Sequence, residues 1–177
     1  MTRIGFMSDL HLDSNQCGHF ELTTLKEVLK KERIDHLHIA GDLSNDLAHI
    51  SLPFIEDLRQ ELPTSFNLGN HDMLGLSEQE ISGYDFQVQQ FGQTKLVSFS
   101  GWYDYSFVPE KSKEEHLRTK NNFWFDRRLD RELDDPSITA YSLLQLEKLL
   151  SSLDGPIIIA MHFVPHQDFL YDHPYFQ

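Results

Sequence analysis

Cysteine is almost absent: Cys17 is the only one among 177 residues. An internal disulfide framework is therefore excluded, and a reducing compartment, the cytoplasm, is the expected location. Basic residues are also scarce, with 15 Lys and Arg against 28 Asp and Glu and a formal charge of −13. That balance cannot build a broad cationic surface, which disfavours duplex nucleic acid and anionic membranes as partners but leaves a small phosphate ester open. No apolar run approaches a membrane span. The stretch from Ile4 to Met7 is broken by Asp9 and His11 and is too short for a signal-peptide core. Repeats and low-complexity tracts are lacking as well. Hydrophobic side chains, by contrast, make up 40% of the chain, 12% being aromatic, enough for the core of one domain over residues 1–177.

The apolar segments are short and each runs into polar residues. Ile4 to Met7 leads to Asp9-Leu10-His11, and Leu22, Leu25, Val28 and Leu29 then recur at helical spacing. Leu37 to Ala40 leads to Gly41-Asp42, and a second helical pattern follows around Pro53. Ser65 to Leu68 leads to Gly69-Asn70-His71-Asp72. Phe86 to Val88 and Lys95 to Phe99 alternate around Gly92, the pattern of an antiparallel hairpin. Leu143, Leu146, Leu150 and Leu153 mark a helix stopped by Gly155-Pro156, after which Ile157 to Met161 delivers His162. Strands alternating with helices imply an α/β fold in which a mixed sheet is covered by helices. Ligands of such folds bind beyond the carboxyl ends of strands, and four strands end there in Asp9/His11, Asp42, Asn70/His71 and His162.

Aspartate, histidine and asparagine offer the oxygen and nitrogen donors that borderline divalent metals accept, and a carboxylate can bridge two ions through its two oxygens. Two such ions can clamp the attacking and leaving oxygens of a phosphoryl group. Asp42 has a simpler alternative reading as a helix cap. The ordered set Asp9-x-His11, Gly41-Asp42-x-x-Asn45, Gly69-Asn70-His71-Asp72 and an isolated His162 resembles the calcineurin-like metallophosphoesterase family. That resemblance implies a sandwich of mixed sheets and helices in four layers. It also implies hydrolysis of phosphate mono- or diesters by a hydroxide held between two divalent ions, drawn from Mn, Fe, Zn and Co. By it, Asp9 and His11 bind the first ion, Asp42 bridges both, and Asn70 and His162 bind the second. His71 is left beside the phosphate as a catalytic residue that stabilises charge and donates a proton.

The chain departs from the family pattern in two places. Asn45 stands where many relatives carry an aspartate that orients the imidazole, so that Asp46 or Asp72 is a candidate to compensate. No G-H-x-H follows His162, which leaves two expectations: either a final structural layer is absent, with weaker metal binding and self-association through the uncovered side, or His166 and His173 act as replacement ligands. A non-catalytic metal-binding remnant serving as a binding module, and a nuclease on the same fold, are the alternative functions. Residues 102–136, rich in aromatics and charges, form either a cap over the substrate pocket or a surface excursion, the second being favoured. Arg127, Arg128 and Arg131 there could recognise a second phosphate or be neutralised by nearby acids. His36 and His38 are expected as packing residues, His19, His49 and His116 as solvated, and His166 otherwise as a loop hydrogen-bonding group.

Overall fold

The computed structural model describes residues 2–169; His173 and the aromatic terminus from Leu170 onwards lie outside the described residues. β1 (Ile4–Met7) leads through a loop to α1 (His19–Lys31), then β2 (His36–Ala40) to α2 (Leu52–Arg59) and β3 (Thr64–Asn67). These three strands form a wholly parallel sheet in the order β1-β2-β3. α3 (Glu78–Tyr84) precedes β4 (Gln87–Phe91) and β5 (Thr94–Phe99), and α4 (Lys113–Phe123) and α5 (Asp135–Ser151) precede β6 (Ile157–Met161). The second sheet runs β4-β5-β6, antiparallel in its first pair and parallel in its second. The α/β class with more than one sheet is as expected; of the two sheets, the first is wholly parallel and the second mixed.

Alternation along β2 explains how the first sheet is covered. Leu37 and Ile39 point into an apolar cluster with Leu29 of α1 and Ile55 and Leu58 of α2. Burial of such side chains contributes roughly 1.5–3 kcal/mol each. His36 and His38 point the other way, and the His36 ring packs edge-on against Phe91 of β4 with centroids 4.8 Å apart. Both histidines are buried, and His36 and His38 share the Ser65 hydroxyl at 2.8 and 2.9 Å while His38 also reaches Asn67 Oδ1 at 3.0 Å. Val28, expected on the inward face of α1, is instead exposed. α3 and α4 each begin with a reciprocal Ser-x-x-Glu cap, Ser77 with Glu80 and Ser112 with Glu115. α5 begins at Asp135, just after the capping Asp134 and with Pro136 in its first turn, well before its leucine pattern starts.

Residues 102–136 are held by an ion pair between the half-buried Lys120 and the buried Asp135, Nζ to Oδ1 at 2.6 Å, within a group of aromatic rings. Trp102 Nε1 donates to the same carboxylate at 2.8 Å, as does the Tyr105 hydroxyl, and Lys120 also lies over the Trp102 and Tyr103 rings. His116, expected to be solvated, is buried here, stacked on Tyr105 and paired with the Val108 carbonyl at 3.1 Å. Arg131 is neutralised by Glu78 of α3 and lies over Trp102. Among the described residues no helix is long and apolar enough to cross a membrane.

Candidate metal centre

The carboxyl ends of β1, β2 and β3 continue into loops that are stitched together. The Asp9 and His11 amides donate to the carbonyls of Gly41 and Asp42 at 3.0 Å. Asp9, His11 and Asp42 all adopt left-handed φ values of 57°, 42° and 57°, a conformation costly for non-glycine residues and concentrated at functional sites. Gly69 is glycine for a steric reason: a Cβ there would overlap Asp42 Oδ1 and the Asp42 backbone. Asp72, 0% exposed, accepts the amides of Asp42, Leu43, Ser44 and Gly69 at 2.7–3.2 Å and so locks the β2 loop to the β3 loop. Burial raises its carboxyl to about 6 despite these donors.

Asp42, 4% exposed, stands at the centre of the cluster. Its Oδ2 faces His11 Nε2 at 3.6 Å and His71 Nε2 at 4.0 Å, while its Oδ1 faces His162 Nε2 at 3.5 Å. Oδ1 also accepts the His71 amide at 2.9 Å. Asp9 and His162 form a triad with Asp42 on one side, and His11 and His71 form another on the other side. The carboxylate thus divides its two oxygens between two groups of imidazoles. Among the described residues its ion-pair partners are all histidines, and no lysine or arginine balances its charge.

Proton positions around His162 follow from its neighbours. Its Nδ1 donates to the Ala40 carbonyl at 2.9 Å, because a carbonyl can only accept. The other ring nitrogen, Nε2, is thereby turned into the site, 3.2 Å from Asn70 Oδ1. The Asn70 amide is turned by Asp126, which accepts from Asn70 Nδ2 at 2.7 Å. Three possible ligand atoms, His162 Nε2, Asn70 Oδ1 and Asp42 Oδ1, converge here. Their spacing of 3.2–3.5 Å suits a shared cation, since two ligand atoms each about 2.1 Å from one ion lie about 3.4 Å apart at a tetrahedral angle. The donor set fits a divalent metal.

The His71 ring is fixed on three sides. Its Nδ1 lies 2.9 Å from Asn45 Oδ1, its face is stacked on Phe125 at 3.7 Å, and its edge meets the His11 ring at 4.6 Å. Burial holds the imidazole below its ordinary range, against the pull of Asp42. Asn45 Nδ2 in turn donates to Asp13 Oδ2 at 2.7 Å, and the Asn45 amide donates to the same oxygen at 3.1 Å. Burial raises the Asp13 carboxyl, but the hydrogen bonds from Asn45 and the local backbone outweigh it and leave it below the ordinary value.

Most of the sequence-identified residues therefore meet here: Asp9, His11, Asp42, Asn45, Asn70, His71 and His162. Asp72 and Asp46, the candidates to assist Asn45, do not touch the His71 imidazole; the first locks the loops and the second binds His49 at 3.0 Å. His166 is exposed and turned to its own Asp168, away from the cluster, and His173 lies outside the described residues. Sequence reasoning missed Asp13, Phe125 and Asp126. Asp13 continues the alternation of Asp9 and His11, which was a usable signal, whereas Phe125 and Asp126 had none. These two residues make 102–136 more than a surface excursion, since one stacks on His71 and the other, 6% exposed, orients Asn70.

Curated proteins show no match to this chain. The crystal structure of a phosphopantetheinyl hydrolase from Mycobacterium tuberculosis superposes with a TM-score of 0.66 and 17% identity, covering 95% of this chain and 73% of that one. At that identity the likeness shows the fold. A calcineurin-like phosphoesterase family model matches residues 2–176, nearly the whole chain, which therefore belongs to that family of metal-dependent hydrolases of phosphate esters.

Proposed function

We propose that this chain hydrolyses phosphate mono- or diesters with two divalent cations that share the Asp42 carboxylate. The observation that carries the reading is the division of Asp42 between His11 on Oδ2 and His162 on Oδ1. In this reading His11 serves the ion on Oδ2 and Asn70 with His162 the ion on Oδ1; Asp9, which the family pattern pairs with His11, has its carboxylate within ligand reach of Asp42 and His162. Mn, Fe, Zn and Co all accept this mixture of carboxylate, amide and imidazole. When bound, such ions withdraw charge from phosphoryl oxygens and make water a nucleophile at neutral pH.

The chain's own side chains position and move protons. His71 keeps its Nδ1 proton on Asn45 and directs Nε2 into the site, where a protonated ring donates to the departing alkoxide and a neutral one takes the proton back. Phe125 fixes the plane of that ring and Asp126 fixes the amide of Asn70. Arg128, over Phe125 at 4.8 Å, gives the rim beside His71 a positive charge suited to an anionic ester.

The test is turnover of p-nitrophenyl phosphate and bis-p-nitrophenyl phosphate by the chain after removal of metal and resupply of Mn, Fe, Zn or Co singly. Activity that disappears with chelation and returns with metal is the expected result. No turnover of either ester with any ion, in a chain that still binds metal, would replace hydrolysis with the reading of a metal-binding module.

A further inference from the structure

We propose that Asp13 is a positioning residue for His71, acting through Asn45. The inference rests on the reading of His71 as the proton donor. Asn45 has a donor and an acceptor at the end of one side chain, and nothing intrinsic to an amide decides which of them faces the imidazole. Asp13 decides it. A carboxylate oxygen only accepts, and Asp13 Oδ2 takes both the Asn45 backbone amide at 3.1 Å and Asn45 Nδ2 at 2.7 Å. The amide oxygen is thereby committed to His71 Nδ1 at 2.9 Å. In consequence His71 carries its proton on Nδ1 and leaves Nε2 free for the reaction.

The arrangement also explains how an amide works at position 45. A carboxylate there would contact His71 Nδ1 directly, but in this chain it would confront Asp13 across the same 2.7 Å. Like charges at that distance repel. The neutral Asn45 lies between an anion and an imidazole, donating to the first and accepting from the second. Asp13 makes no ion pair with a lysine or arginine among the described residues, and its Oδ1 is buried without a hydrogen-bond partner. Among the described residues its side-chain hydrogen bonds go to Asn45 alone.

The geometry makes a sign-reversing prediction. Asp13→Ala frees the amide and lowers kcat about tenfold with KM within about twofold, the low end of the range for outer partners of a functional group. Asn45→Asp in the native background also lowers kcat, because two carboxylates then face each other. Asn45→Asp in the Asp13→Ala background raises kcat above that of Asp13→Ala, because the new carboxylate accepts from His71 without opposition. Asp13→Asn keeps an acceptor in place and retains more activity than Asp13→Ala, which covers the case in which the alanine variant folds poorly. Independently of metal and turnover, ¹⁵N–¹H spectra of the His71 ring in the metal-free chain report its tautomer. The Nδ1–H form dominates in the native chain, mixes with Nε2–H in Asp13→Ala, and returns in the double variant. An effect of Asn45→Asp with the same sign in both backgrounds, or an unchanged tautomer in Asp13→Ala, would overturn the proposal. An inactive native chain with the expected tautomer pattern would instead reject the hydrolytic reading and leave the Asp13 relay standing.

Discussion

His162, at the end of β6, donates its Nδ1–H to the carbonyl of Ala40, the last residue of β2, across 2.9 Å. One hydrogen bond thus joins the two sheets at the site and turns Nε2 of the same ring towards Asp42 and Asn70. Both sheets must be in register for the cluster to exist, which makes the site sensitive to small changes in the loops that carry it.

Removing His71 should affect chemistry more than metal binding. His71→Asn is expected to lower kcat about 10²–10⁴-fold, the range for losing a general acid, with the metal content unchanged by elemental analysis. Because His71 Nε2 also lies within ligand reach of His11 and Asp42, loss of an ion from this variant would assign the ring to the metal instead.

Asp126 should act on metal affinity through Asn70. Asp126→Ala releases the amide, so that either its oxygen or its nitrogen can face His162. Affinity for one of the two ions is expected to fall about 10- to 100-fold, measured by calorimetric titration, with the other ion little affected. Equal weakening of both ions would show that Asp126 contributes to the fold as a whole and not to Asn70.

Gly69→Ala should damage the site from the backbone. The added Cβ overlaps Asp42 Oδ1 and backbone, and forced overpacking typically costs about 1–3 kcal/mol. A lowered denaturation midpoint with weakened metal binding is the expected outcome. Unchanged values for both would mean that the two loops have room to separate.

Much of this centre was legible in the sequence because each ligand follows directly from a short apolar strand, and strand ends of a parallel sheet converge. Asp9, His11, Asp42 and Asn70 come together for that reason, and His162 reaches them from the end of β6 in the second sheet. Asp72 was misread because an acid beside a histidine invites a pairing, whereas the loop turns its carboxylate onto four backbone amides. Phe125 and Asp126 were not legible, since they arrive from a distant segment whose path depends on the Lys120–Asp135 pair and the rings around it. Which strands pair in which sheet was not legible, because the pairing between β5 and β6 joins residues far apart in the chain.

The buried histidines between the sheets set a pH dependence of stability. Burial pushes His38 down to about 4, below the ordinary 6.5 of an unfolded chain. Between those values the unfolded state binds more protons than the folded one, so stability rises with pH through this window, is complete above about 6.5, and is lost on acidification. Ring resonances of His38 should titrate with a midpoint near 4. A midpoint at 6 or above would show that water reaches the Ser65 and Asn67 network.

The most direct test is the metal stoichiometry of the native chain and of Asp42→Asn, measured by calorimetric titration with Mn²⁺ and by elemental analysis after dialysis. Asp42 is shared, so its loss should act on both ions at once. The account predicts two ions per chain at saturation for the native protein and fewer than one for Asp42→Asn, with affinity at least 100-fold weaker, beyond the range for outer-sphere changes. Two ions of near-native affinity in Asp42→Asn, or a single ion in the native chain whatever the concentration, would contradict it.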